Sequence, residues 1–260
     1  MDKRVNDRCC LAVAIVFLGV AYADPVPVRH VEGFLHGYIV LKNTGGKILA
    51  AGDLTQTPAG NLITTVLTLH FGDGSLYQET PVYSQQKVFR LLSYKQIQKG
   101  PSFKAPQTLS FDTSGKVTVE YEEKGKRKTL HDQMALPPDI ANGIIPMLLT
   151  QIDSKAETTL SMLVPTPKPR LVKLKISAAG QDLFFIGARG AKATHYVARI
   201  DIGGVTGAVA KIVGKQPPPI HFWIAAGNSP AFLKSEGPLY EDGPIWRIEL
   251  ASPTWLLVPI

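Results

Sequence analysis

The chain has 260 residues, a formal charge of +7 and two cysteines, with 45% hydrophobic and 19% charged side chains. That length buries a core without staples. With both cysteines at positions 9 and 10, a disulfide framework and a thiolate metal site are excluded for everything that follows them.

Lys3, Arg4 and Arg8 precede an apolar run from Leu11 to Val20, and Ala21-Tyr22-Ala23 ends it with small residues. The run is shorter than the roughly 20 residues a membrane span needs, so residues 1–23 read as a secretory signal peptide. The expected product is a periplasmic or secreted single β-rich domain over 24–260. It keeps 25 basic and 19 acidic side chains, a formal +6, and has no later membrane-spanning run.

Asp24-Pro25-Val26-Pro27 predicts a short extended arm. Strands are expected over 34–42 and 47–55, flanking the turn cluster Asn43-Thr44-Gly45-Gly46. The alternation in Leu62–Phe71 predicts a half-buried strand, Asp73-Gly74 turns into a strand over 75–80, and another is expected over 87–98. Val117, Val119 and Tyr121 alternate with Thr118, Glu120 and Glu122 between two glycine turns.

Pro137–Ile152 breaks the pattern. Ile140, Ile144, Leu148 and Ile152, with Ala141, Ile145 and Leu149, recur at helical spacing, while Asn142, Pro146 and Thr150 line the other side. An amphipathic helix over about 138–152 is expected, with Asp139 near its positive end and Pro146 bending it convex toward water. It would join two β halves.

Strands follow over 158–164, 172–177, 181–186, 192–202, 220–225, 231–235 and 245–250, with a turn at Ala179-Gly180 and a stiff connector at 165–169. Val205, Ala208, Val209 and Ile212 fit a short helix over about 205–213. The fold class is therefore mainly β: an antiparallel meander forming a curved sheet or open barrel, with the long helix on its concave side.

Motifs for chemistry are weak. The six histidines show no spacing for convergent metal ligands, so no metal and no cofactor is expected. Ser84 and Lys87 have the serine–lysine spacing of penicillin-recognising enzymes, but on an extended segment that sends them to opposite faces. Gly203-Gly204-Val205-Thr206-Gly207 lacks the rest of a phosphate loop. Lys124, Lys126, Arg127 and Lys128 form a basic hairpin tip, and Lys173 and Lys175 add a second basic segment, a pattern suited to an anionic envelope component. Nucleic acid is not expected, because no aromatic residues are interleaved with these cations. His221 and Trp223 share one face of a strand whose other face carries Phe222 and Ile224.

The runs HDQMALPPDIANGIIPMLLTQI, TPKPRLVKL, ATHYVARIDIGGVTG, GKQPPPIHFWI and EGPLYEDGPIWRIELASP resemble a family of uncharacterised secreted bacterial β-rich proteins, a likeness that implies no activity and no catalytic residues. In outline the fold is similar to periplasmic lipoprotein carriers. The leading expectation is a non-enzymatic envelope protein holding a hydrophobic or amphiphilic molecule between sheet and helix, through Ile144, Met147, Leu148, His221 and Trp223. The alternatives are an adaptor that docks through its basic hairpins and, third, a hydrolase using Ser84 and Lys87. An outer-membrane barrel is disfavoured by Pro259 in the terminal Trp255–Ile260 run, since proline cannot donate to a closing ladder.

Overall fold

The structure is a computed structural model that describes residues 25–164, 168–186, 189–201 and 216–251. The signal-peptide residues 1–23, the expected helix over 205–213 and the terminal Trp255–Ile260 run lie outside the described residues.

Eight strands come first: β1 (Leu35–Asn43), β2 (Ile48–Ala59), β3 (Leu62–Phe71), β4 (Leu76–Gln85), β5 (Phe89–Lys99), β6 (Gln107–Asp112), β7 (Lys116–Glu123) and β8 (Lys126–Gln133). After them come α1 (Ile145–Gln151), β9 (Thr158–Val164), β10 (Arg170–Ile186), β11 (Arg189–Asp201), β12 (Ile220–Ala225), β13 (Phe232–Gly237) and β14 (Trp246–Ala251). All fourteen strands join one antiparallel sheet, in the order β8-β7-β6-β5-β4-β3-β2-β1-β14-β13-β12-β11-β10-β9. The meander is thus interrupted once, where the last strand pairs with the first through Ile39↔Leu250, Leu41↔Ile248 and Asn43↔Trp246. That seam makes one sheet of the two halves and leaves β8 and β9 as its edges.

The expected turns form from local chemistry. Asn43 Oδ1 accepts from the Lys47 N–H at 2.9 Å, and Asp73 Oδ1 accepts from the Ser75 N–H at 2.9 Å, each side chain closing its own turn. At Gly52 the reason for glycine is different. A Cβ there would lie 1.8 Å from the Thr68 carbonyl oxygen, so β2 can bend this closely over β3 only without a side chain.

The concave face carries two apolar clusters. The larger gathers Ile63, Tyr83, Leu109, Val119, Leu174 and Phe222 from both halves around Ile144, Ile145, Leu148 and Leu149. The smaller holds Ile39, Leu41, Leu69, Phe71, Phe103 and Trp246 near the seam. Burying such side chains contributes roughly 1.5–3 kcal/mol each. The helix therefore sits inside the curve of the sheet, as expected.

Its extent differs from expectation. The helix spans only Ile145–Gln151, and Pro146 falls in its first turn, where a missing N–H has no intrahelical partner to lose. No kink is needed. Residues 138–144 form turns and a bridge instead, because this stretch pairs with the free edge of β9. Ala141 N–H donates to Ser161 O at 2.9 Å, Ser161 N–H donates to Asp139 O at 3.1 Å, and the Asn142 amide takes the next position. Its Oδ1 accepts from Leu163 N–H at 2.9 Å while its Nδ2 donates to Leu163 O at 2.8 Å. Asn142 is accordingly buried rather than on a solvent row, and Asp139 is no helix-end charge. The Asp139 carboxylate is buried against Ser161 Oγ and Lys173 Nζ, the latter at 3.1 Å.

Two further boundaries move. Ala179-Gly180 is not a turn but a bulge within the 17-residue β10, where the register to β11 slips between Ala178 and Gly180. The short strand expected over 75–80 continues to Gln85.

The prolyl arm is held by glutamine side chains acting as a backbone. Gln85 Oε1 accepts from Glu32 N–H at 2.7 Å and its Nε2 donates to Glu32 O at 2.9 Å. Gln151 Oε1 accepts from the N–H groups of Arg29 and His30, and Val26 inserts into the larger core.

Asn142→Ala removes both bonds to Leu163 and leaves a buried N–H and C=O unpaired. Each such loss costs about 1–3 kcal/mol, so the variant should lose about 2–6 kcal/mol in equilibrium urea unfolding. Pro146→Ala, by contrast, should change stability by less than about 1 kcal/mol.

Candidate ligand-binding site

Between the two clusters, one row of concave-face side chains crosses the sheet in register. Gly37 pairs with Leu54, Leu54 with Leu67, Leu67 with Glu79, and Glu79 with Gln96. Residues directly opposite in a ladder share a face, so the row is a continuous strip over β1 to β5. Leu250 extends it across the seam; a Cβ on Gly37 would meet Leu250 Cδ2 at 3.2 Å. Leu35 lies on the same face two residues before Gly37.

This strip is only partly covered, with Leu54 and Leu67 resting against the smaller cluster. Leu35 and Leu250 are 42% and 41% exposed, and Leu54, Leu67 and Glu79 are half-buried. Their neighbours along each strand, Ile39, Leu69 and Tyr77 on one side and Ile63 and Tyr83 on the other, are buried in the two clusters. The result is a trough with an apolar floor. Its closed end is polar.

At that end Glu79 Oε1 accepts from Tyr77 Oη at 2.7 Å and Tyr94 Oη at 2.6 Å, with Gln96 Nε2 at 3.5 Å. Oε2 makes no hydrogen bond among the described residues. Burial pushes the Glu79 carboxyl above its usual range, and the phenol and amide donors oppose that shift only in part. The same burial, together with the Glu79 charge, holds both tyrosine hydroxyls protonated far above neutral pH. Gln96 Nε2 also donates to Tyr77 Oη at 3.2 Å, yet Gln96 Oε1 is buried with no partner. An unpaired buried acceptor beside a carboxylate is costly.

The residues singled out from sequence separate. Ile144 and Leu148 are buried in the larger cluster, and Met147 packs against it half-buried. His221 and Trp223 lie on the convex face, opposite Phe222 and Ile224, so the sheet stands between them and the helix. There Trp223 stacks on His195 with ring centroids 4.4 Å apart and donates from Nε1 to Asp182 Oδ2 at 2.6 Å. Lys234 Nζ caps its other side 4.0 Å from the ring centroid. His195 Nε2 and His221 Nδ1 are 2.8 Å apart, and burial followed by the His221 charge lowers the His195 pKa. Asp182 reaches this group because the β10 bulge puts it on the same face as His195. The tryptophan is thus stacked on both sides and closed to a ligand.

The basic residues occupy two separate places, and several are already matched by carboxylates. Lys128 pairs with Glu123, Lys173 with Asp139, and Lys175 with Asp201 at 3.0 Å. Lys124, Lys126 and Arg127 stand exposed at the β7–β8 tip beside Glu122 and Glu123. Ser84 lies on extended β4 and Lys87 in the turn after it, so the helical geometry of a serine–lysine pair is not formed. No group of three or more metal-ligating side chains occurs among the described residues. A cleft of about 390 Å³ is lined by Thr80, Ser93, Lys95, Ser110, Asp112 and Lys116 among others, and one of about 380 Å³ by Lys175, Arg199, Asp201 and Gln216.

Because the Glu79 pKa is raised in the fold, the native state binds more protons than the unfolded chain between the ordinary carboxylate range and the raised value. The stability Glu79 contributes is present below that window and is lost as pH rises through it. Urea unfolding of wild type and Glu79→Gln at pH 4 and pH 8 should show the variant gaining relative to wild type at the higher pH. An unchanged difference would mean that Glu79 is not desolvated.

A scan against protein-family profiles finds no match, and a search of curated proteins finds none. Among solved structures, the hypothetical lipoprotein YmcC from Escherichia coli (K12) is similar at 8% identity over 85% of this chain and 86% of that chain, with a TM-score of 0.36. That is a distant likeness.

Proposed function

We propose that this is a non-enzymatic binding protein of the bacterial envelope that holds a hydrophobic or amphiphilic molecule on the concave face of its sheet. The observation that carries this reading is the in-register strip Leu250–Gly37–Leu54–Leu67–Glu79, apolar along its length, half-buried in its middle, exposed at Leu250 and polar at the other end. Apolar surface left uncovered between two packed clusters gains free energy when a ligand covers it, at roughly 25 cal/mol per Å² before the costs of association. A few polar groups at one end then fix orientation. The envelope location rests on the basic start, short apolar run and small-residue ending of residues 3–23, and no helix among the described residues is long and apolar enough to cross a membrane.

The ligand seat differs from the helix–sheet cleft suggested by the sequence. Ile144 and Leu148 are fully committed to the core, whereas Leu54 and Leu67 of β2 and β3 rest against the smaller cluster and stay half-buried, with part of each side chain uncovered. The helix supports one wall of the trough and need not touch the ligand.

Titration with N-phenyl-1-naphthylamine should give saturable fluorescence enhancement. Leu67→Trp and Gly37→Leu, which fill the strip from two strands, should each weaken it about tenfold. Tyr38→Trp, on the convex face, should leave it unchanged. No enhancement with the wild-type protein, or equal binding by all the variants, would overturn the reading.

A further inference from the structure

We infer that the polar end of the trough is a recognition site for a primary ammonium group, so that the preferred ligand is an alkyl amine amphiphile. The inference deepens the proposed function and rests on the trough as the binding surface.

Glu79 is the only ionisable side chain in the strip, and its two oxygens differ. Oε1 is occupied by the Tyr77 and Tyr94 hydroxyls, which as donors hold the carboxylate in one orientation. Oε2 is left without a partner among the described residues. The second acceptor is independent of the first: Gln96 is only 6% exposed, its Nε2 is used by Tyr77 Oη and Glu79, and its Oε1 has no partner. Every unfilled valence here is therefore an acceptor. An ammonium offers three N–H donors and a positive charge, whereas a carboxylate or phosphate head would bring further acceptors and like charge against Glu79. A hydroxyl head supplies one donor and no charge. The leucine strip leading to Glu79 suits a hydrocarbon chain attached to the cation.

Displacement of N-phenyl-1-naphthylamine by octylammonium, octanol and octanoate at neutral pH and low salt tests this. Octylammonium should compete at least tenfold better than octanol, and octanoate worse than either. Glu79→Gln should abolish the amine preference while keeping octanol competition. In the wild-type protein the preference should shrink as pH falls and Glu79 takes up its proton, with octanol unaffected; this holds the test open should the variant fold poorly. If the probe binds but octylammonium and octanol compete equally, the ammonium site is wrong, its orphan acceptor is met by water, and the trough stands. If the probe does not bind, trough and ammonium site fall together.

Discussion

A fourteen-stranded antiparallel sheet that does not close has two edges, and the chain must deal with each. The edge at β9 is the one on which the interior depends, because the larger cluster lies directly behind it. Its backbone groups are satisfied by the main chain of Asp139 and Ala141 and by the Asn142 amide, which copies the donor–acceptor pair of a peptide. This strip of chain also delivers Ile144, Leu148 and Leu149 into the curve of the sheet. Edge protection and core filling are one event. At β8 the solution is different: its exposed Lys126, Arg127, Lys128 and Asp132 make the open edge a poor template for another strand.

The buried ion pair between Asp139 and Lys173 belongs to the same junction. Such pairs repay their desolvation only with good geometry and further hydrogen bonds. Here Ser161 Oγ donates to Asp139 and accepts from Lys173 Nζ at 2.8 Å, so the charges are bridged by a hydroxyl of the very edge strand being closed. The interaction fixes which residue of β9 faces the 139–142 segment. Specific polar contacts of this kind, with the glutamines that hold the N-terminal arm, set the register of segments too irregular for a ladder.

Much of the fold was legible in the sequence because alternation survives translation into a sheet. Val117, Val119 and Leu69 are buried where their period places them, and the split between Phe222 and Trp223 is the split between the two faces of β12. The failures share a cause. Residues 138–144 repeat at helical spacing since consecutive turns also return apolar side chains to one side, and only pairing with β9 decides between them. Ala179-Gly180 reads equally as a turn or a bulge until the partner strand is known. β6 escaped notice although Leu109 and Phe111 alternate with polar residues, because six residues give only two buried positions. The trough was invisible for a stronger reason. Gly37, Leu54, Leu67 and Glu79 do not stand out in their own strands and become one strip only when three registers are fixed together.

The position of that strip follows from the seam. Were β1 and β14 not paired, Leu250 would be remote from Gly37 and the floor would end at β1. The pairing links the first described strand to the last, the longest loop closure among the described strands, and it cannot reward the chain until both halves exist. Gly37 and Gly52 fall just there: one leaves the floor low beneath Leu250, the other allows β2 to bend over β3. Larger residues at these points would fill the strip or flatten the sheet. The proposed binding surface is consequently a product of closure rather than of any one element, and substitutions that loosen the seam should reach the trough before they reach the helix-side core.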